Sequence, residues 1–224
     1  MDLNKSREFF DPNNFKQMIH IIGCGAIGST VAENLTRLGI ERITLWDKDT
    51  VDSHNIANQL FRFKDIGKPK TDALAEILQD INPDLELTLR DTFYKSQRLS
   101  GYVFLCVDNI ETRKQIVKFN WNNPYIVAMF DFRMRLTDAQ HYATPWHNKT
   151  EKENFINSMQ FSHEEATTET PMSACGTALS VAPTVRVISA YGVSNFINMT
   201  LGKPLKRLIL SETFTHQVDA FEIK

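Results

Sequence analysis

From Gln17 onward the sequence alternates short apolar runs with amphipathic segments, a rhythm that few folds accommodate. "MIHIIG" predicts a buried strand, "AIGSTVAENLTRL" a helix stopped by Gly39, and "RITLWD" a second strand. "KTDALAEILQDI" predicts a helix ended by the Asn82-Pro83 pair. Strands at "LELTLR" and "YVFLCV", a helix at "IETRKQIVKFNW" and a β-rich run at "YIVAMF" follow. Strands alternating with helices imply βαβ units and right-handed crossovers, hence an α/β fold with a mainly parallel sheet and helices on both faces. Beyond Phe130 the texture changes. "FRMRLTDAQHYAT" suggests an appended strand pair, and residues from about 145 to 172 suggest a long, mobile polar loop. "GTALSVAPTVRVISAYGVSNFINMTLG" suggests a helical stretch interrupted around Pro183 and closed at Gly202, with final strands from "RLILSETF" completing an antiparallel C-terminal part. With no repeat or linker in view, residues 1–224 are expected to form a single domain, preceded by a short helical arm at about 1–16.

One turn in this series carries chemistry. "IIGCGAIGS" sets Gly23, Gly25 and Gly28 in a G-x-G-x-x-G pattern between a strand and a helix, with Asp47 ending the next strand. That context is right for a Rossmann-type nucleotide site, the alternative being a strand–helix turn with packing glycines and no ligand. Gly23 permits the tight turn, Gly25 lets a phosphate or ribose approach the backbone, and Gly28 lets the helix pack on the strand. The helix start at Ala26 and Ile27 offers free N–H groups and a partial positive charge to an anion, and Asp47 is placed to accept hydrogen bonds from ribose hydroxyls. ATP and NAD both carry the adenosine that such a half-site binds, so the loop alone does not choose between them.

The next segment does. "DKDTVDSHNIANQLFRFKDIGKPKTDAL" is denser in polar residues than a dinucleotide enzyme needs after its ribose ligand, whereas a triphosphate needs its charge neutralised. Lys70 and Arg62 are suitable cations, and Asn55, Asn58 and Gln59 can hydrogen-bond phosphate or ribose oxygens. "LCVDNIETR" sets Asp108 and Asn109 just past a buried strand, at the carboxyl end where ligands bind in parallel sheets. An aspartate there can hold Mg²⁺, which takes one or two carboxylates plus substrate phosphates.

Taken together, "GCGAIGS", "LWDKDTVDSHNIANQ", "GKPK", "VDNIETR", "DFRM" and "CGTALSVAPTVRV" resemble the ThiF/MoeB/ubiquitin-E1 superfamily of adenylating enzymes, from about Ile19 to Gly202. The resemblance implies ATP·Mg²⁺ binding and adenylation of a carboxylate, in many branches the C-terminal glycine of a ubiquitin-like or sulfur-carrier-like protein. It implies Asp47 on the ribose, Asp49 and Asn55 lining the ATP site, Lys70 on the phosphates and Asp108 on Mg²⁺. It also implies a homodimer whose site is completed by an arginine from the partner's N-terminal region, for which Arg7 is the candidate beside a plain surface role. One departure stands out. The family commonly reads N-x-x-R-Q, and Asn58 replaces that arginine here. A neutral amide does not reproduce a guanidinium's charge or fork. Arg62 reaches in if its segment is helical; otherwise phosphate binding is weaker or the nucleotide is not turned over.

Cys175 stands at the cysteine position of the family's C-x-T-A-x-x-V-x-P segment. There it is either an acyl-accepting thiol activated by a helix N-terminus or a small buried residue at a helix start. Cys24 and Cys106, inside the glycine turn and a strand, are expected to be structural. With no CxxC pair, no structural zinc is expected. The six histidines have no ligand-like spacing, and His147 and His163 are expected to be solvated. Phe9, Phe10, Phe61 and Phe63 are expected to pack in the core or a dimer contact. A net charge of −2 gives no basic footprint for nucleic acid. No signal-peptide h-region or membrane-length apolar run is present, and three scattered cysteines suggest a reducing, cytoplasmic setting. The rival readings are a nucleotide-binding dimeric module weakened by Asn58, and an NAD-dependent oxidoreductase.

Overall fold

The computed structural model describes residues 1–92, 94, 96–173 and 178–222. The strands are β1 (Ile19–Ile22), β2 (Arg42–Asp47), β3 (Glu86–Asp91), β4 (Gly101–Leu105), β5 (Ile126–Met134), β6 (Asp138–Pro145), β7 (Lys206–Glu212) and β8 (Gln217–Glu222). The helices are α1 (Ala26–Arg37), α2 (Lys70–Ile81), α3 (Ile110–Phe119), α4 (Lys149–Asn157), α5 (His163–Glu169) and α6 (Ala182–Thr200). Among the described residues the strands form one eight-stranded sheet in the order β3-β2-β1-β4-β5-β6-β7-β8. Pairing is parallel from β3 to β5 and antiparallel from β5 to β8. This is the expected α/β, Rossmann-like sheet with an antiparallel C-terminal part.

Successive strand residues point to opposite faces, and both faces of the central strands are covered. Ile19 and Ile21 of β1 join one core with Val31 and Leu35 of α1, Leu74 and Leu78 of α2, and Ile188 and Phe196 of α6. Ile22 joins the other with Ile116 and Val117 of α3, Phe155 of α4, and Trp146. This is why the central strands read as unbroken apolar runs rather than as alternation. On the α6 side, Phe104 and Phe130 stack with centroids 5.0 Å apart, and Phe196 meets Phe104 edge-on at 5.4 Å. Each such side chain, fully buried, contributes about 1.5–3 kcal/mol. His141 lies in the same layer, fully buried and 3.2 Å from the Asn195 amide, and burial holds its pKa down to about 4.

Three expectations need correction. Residues 145–172 are not one loop, because α4 and α5 lie within them. Asn148 caps α4 by accepting from Glu151 N at 3.1 Å, and Phe155 and Met159 are buried. Ser162 and Glu165 form a capping box on α5, which buries no side chain. So few apolar residues leave no periodicity to read. Pro183 does not interrupt a helix; it lies in the first turn of α6, where its missing N–H costs nothing. The N-terminal arm is not a regular helix but a set of turns followed by a 3-10 turn at Pro12–Asn14, and Phe10 is buried in the α6-side core. Among the described residues, no helix is long and apolar enough to cross a membrane.

Truncating Phe196 to Ala should remove about 3–5 kcal/mol of stability in urea denaturation. Phe214→Ala, at a position 56% exposed, should change it by less than about 0.5 kcal/mol.

Candidate functional site

β1 is flanked by β2 on one side and β4 on the other, so the strand order reverses between β1 and β4. The crevice outside the carboxyl ends of strands at such a reversal is where open α/β sheets bind ligands. Three chain segments meet there: the glycine loop after β1, the end of β2 at Asp47, and the loop after β4 that carries Asp108.

The glycine loop is built on backbone contact. Gly23 has φ +96°, and a Cβ on it would lie 2.8 Å from the carbonyl carbon and oxygen of Cys106. A Cβ on Gly28 would lie 1.8 Å from the Gly23 oxygen, so the first turn of α1 sits directly on the end of β1. Gly25, in contrast, faces open space. It caps α1 with no side-chain hydrogen bond, and the first turn carries no acidic residue. The opening N–H groups of Ala26, Ile27 and Gly28 therefore lie at an uncapped helix start, the arrangement that favours an anion.

Asp47 closes one wall. Its carboxylate accepts from Cys24 N at 2.6 Å and from Asp49 N at 2.8 Å. Burial raises its pKa, and the N–H donors of Asp49 and Cys24 partly offset that. The segment after Asp47 folds back on the "GKPK" turn: Val51 N bonds Lys68 O, Gly67 N bonds Val51 O, and Lys70 N bonds Asp49 O at 2.9 Å. Lys70, the first residue of α2, is thereby buried with its ammonium 3.2 Å from Asp49 Oδ2. Asn55 is also buried, but its Oδ1 is engaged by Asp52 N at 2.9 Å within a capping box. Asn58 ends that 3-10 turn as its C-cap. The Gln59 Oε1 and Thr71 Oγ1 atoms are buried with no hydrogen-bond partner among the described residues.

Of the predicted cations, Arg62 does not reach into this crevice. The segment after it is a 3-10 turn, and its guanidinium is held 2.9 Å from buried Asp65, 3.4 Å from Asp80 and 3.6 Å from Glu76. Arg7 lies 4.0 Å from Asp11, in an arm whose Leu3 and Pro12 face Gly39 beyond the far end of α1. Asn109 spends its Oδ1 capping α3, accepting from Thr112 N at 3.0 Å. Cys24 and Cys106 have thiols that burial pushes up, consistent with structural roles. Cys175 lies outside the described residues. Phe10 and Phe61 are buried, while Phe9 and Phe63 are exposed, and His147 and His163 are exposed as expected.

Asp108 is exposed and makes no hydrogen bond or ion pair with a described residue. The loop carrying it is held by side chains to which the sequence reading gave no role. Arg113 donates to the carbonyls of Leu105 and Val107 and to Asp131 Oδ1. Arg133 donates to the other Asp131 oxygen at 2.6 Å. Burial alone would raise the pKa of fully buried Asp131, but the two guanidiniums hold it below the usual range. The available signal was a charge embedded in the β run "YIVAMFDFRM", where a buried strand has little use for one.

Asp131→Asn should cost about 3–5 kcal/mol, because it leaves two cations without their counter-charge. The Asp131 folded pKa lies below its unfolded value of about 3.9, so this contribution is full above that value and fades as pH falls through the folded pKa. Urea midpoints measured across the acid range should fall steeply in the wild type and less steeply in the variant.

The sequence matches the ThiF family over residues 13–224. It is 39% identical over 114 residues to ubiquitin-like modifier-activating enzyme 5 of Oryza sativa, covering 42% of this chain and 27% of the relative. It is 39% identical over 80 residues to tRNA threonylcarbamoyladenosine dehydratase of Bacillus subtilis, covering 35% of this chain and 32% of the relative. The match thus spans about a third or less of either relative's length. Among solved structures, E. coli MccB with ATP superposes with a TM-score of 0.69 at 17% identity, covering 92% of this chain and 64% of that one. With a family match over nearly the whole chain and a sheet that reverses at its glycine loop, the chain belongs to the ThiF family.

Proposed function

We propose that this chain is an adenylyltransferase that binds ATP in the crevice between β1 and β4 and activates a carboxylate. The observation that carries the reading is the uncapped start of α1, open at Gly25 and flanked by the Asp47 carboxylate and the Asp108 loop. In this reading Asp47 accepts from the ribose hydroxyls, and the N–H groups of Ala26, Ile27 and Gly28 face the phosphates. Lys70 exchanges Asp49 for a phosphate oxygen, while Asn55, Asn58 and Gln59 hydrogen-bond the nucleotide. The unpaired Asp108 carboxylate suits Mg²⁺, whose charge would offset that of the triphosphate. The substrate carboxylate attacks the α-phosphorus. A new O–P bond forms, the bond to the bridging oxygen breaks, and pyrophosphate leaves. Positioning and charge neutralisation do most of the work in such a step.

The substrate we propose is the C-terminal carboxylate of a ubiquitin-like or sulfur-carrier-like protein, supported by the name of the rice relative. Cys175 would be the next acyl acceptor. A homodimer in the cytoplasm, with Arg7 offered to the partner's site, completes the proposal. A second reading is favoured by one observation: Asn58 replaces the family arginine and Arg62 is held by Asp65, Glu76 and Asp80. Lys70 would then be the main side-chain cation, and nucleotide would be bound but turned over slowly.

ATP–pyrophosphate exchange with candidate carboxylates tests both readings. Lys70→Ala and Asp108→Ala should each lower exchange about 100–1,000-fold, and absence of both exchange and ATP binding in the wild type would sink the proposal. A gain on Asn58→Arg from a nearly silent wild type would support the weakened enzyme. Cys175→Ala should keep exchange while losing any thiol-labile adduct with the substrate.

A further inference from the structure

We propose that Arg113 is a positioning residue for Asp108, acting through a buried triad with Asp131 and Arg133; the inference rests on the reading of Asp108 as the metal-binding carboxylate. Arg113 lies on α3, C-terminal to Asp108, yet its side chain is only 6% exposed and turns back beneath the loop. Its guanidinium donates to the Leu105 carbonyl at 3.4 Å and to the Val107 carbonyl, so the peptide entering Asp108 is held from below. On the other side Asn109 is fixed as the cap of α3, and its carbonyl accepts from Arg113 N at 3.3 Å. Asp108 thus sits between two pinned neighbours while its own carboxylate points its lone pairs at no described residue.

The guanidinium is itself held in place. Asp131 pairs in register with Leu105 across β4 and β5, fully buried, and takes Arg113 on one oxygen. Its other oxygen takes Arg133, which runs on to Ser158 O at 2.8 Å and Ser158 Oγ at 2.9 Å, at the end of α4. The Arg133 guanidinium also lies 4.3 Å from the ring centroid of Tyr142, which accommodates the triad's surplus positive charge. The chain of contacts from Ser158 to Val107 fixes the Asp108 backbone before any cation arrives. Removing that freedom in advance is what raises a carboxylate's affinity for a metal.

A fold-holding ion pair alone would need only the charge of Arg113. Positioning needs its fork, which reaches two carbonyls and a carboxylate together, and lysine has the charge without the fork. Mn²⁺ binding, followed by electron paramagnetic resonance in the presence of a non-hydrolysable ATP analogue, separates the two. Arg113→Lys should weaken Mn²⁺ about 10–100-fold, as loss of a supporting contact does at other metal sites, while metal-free AMP binding stays within about twofold. Unchanged Mn²⁺ affinity, or a parallel fall in AMP affinity, overturns the proposal. Asp108→Asn is the control for the reading beneath it: if Mn²⁺ affinity survives that change, the metal assignment fails rather than the positioning. Should Arg113→Lys not fold, Arg133→Gln at the outer end of the triad should weaken Mn²⁺ several-fold, and no change there also overturns the proposal.

Discussion

The contact among Gly23, Gly28 and Cys106 governs the geometry of the whole carboxyl end of the sheet. Three backbone segments approach there so closely that a single Cβ on either glycine would occupy space already filled by main chain. The contact fixes where α1 begins relative to β1, and so where its uncapped N–H groups point. It also fixes the distance from the glycine loop to the end of β4, from which the Asp108 loop departs. A helix start turned away from the crevice, or a β4 loop displaced from it, would leave Asp47 facing solvent with nothing opposite.

Around that contact, charge is divided between groups used internally and groups left available. Arg62 is consumed by Asp65, Glu76 and Asp80, and the Arg113 and Arg133 guanidiniums by Asp131. Lys70 is shared with a partly exposed carboxylate, Asp49, across 3.2 Å. A half-solvated partner is more readily exchanged than a buried one, since part of the pair's attraction is already screened by water. Asp108 has no partner among the described residues. The groups tied into networks therefore hold shape, while Lys70 and Asp108 stand outside those networks.

Much of this was legible in the sequence, for reasons tied to particular residues. The strands β1, β2, β4 and β5 could be read because they are buried on both faces and so appear as apolar runs. The glycine loop could be read because only glycine fits a left-handed turn under a helix start. Helices α4 and α5 were missed because they bury little or nothing: Phe155 anchors one, and the other has a capping box and an ion pair from Glu169 to Arg135 but no buried side chain. The position of Arg62 was left open because a cation near a polar segment looks like a phosphate ligand, and nothing local reveals that Asp80 and Glu76 on α2 are folded against it. The Arg113–Asp131–Arg133 triad was missed because its members fall on a helix and a strand that touch only when β4 and β5 pair.

By itself, the sequence determined much of what depends on neighbours along the chain: the order of the strands and of α1, α2, α3 and α6, and the place of the glycine turn. Those follow from local sterics and from burial periodicity, which a linear reading captures. Only the tertiary structure decided which charges meet. Lys70 finds Asp49, Arg62 finds Asp80 and Arg113 finds Asp131 across 21, 18 and 18 positions of chain. Electrostatic pairing depends on distance in space, and that distance is set by how the helices and loops pack on the sheet rather than by separation in the chain.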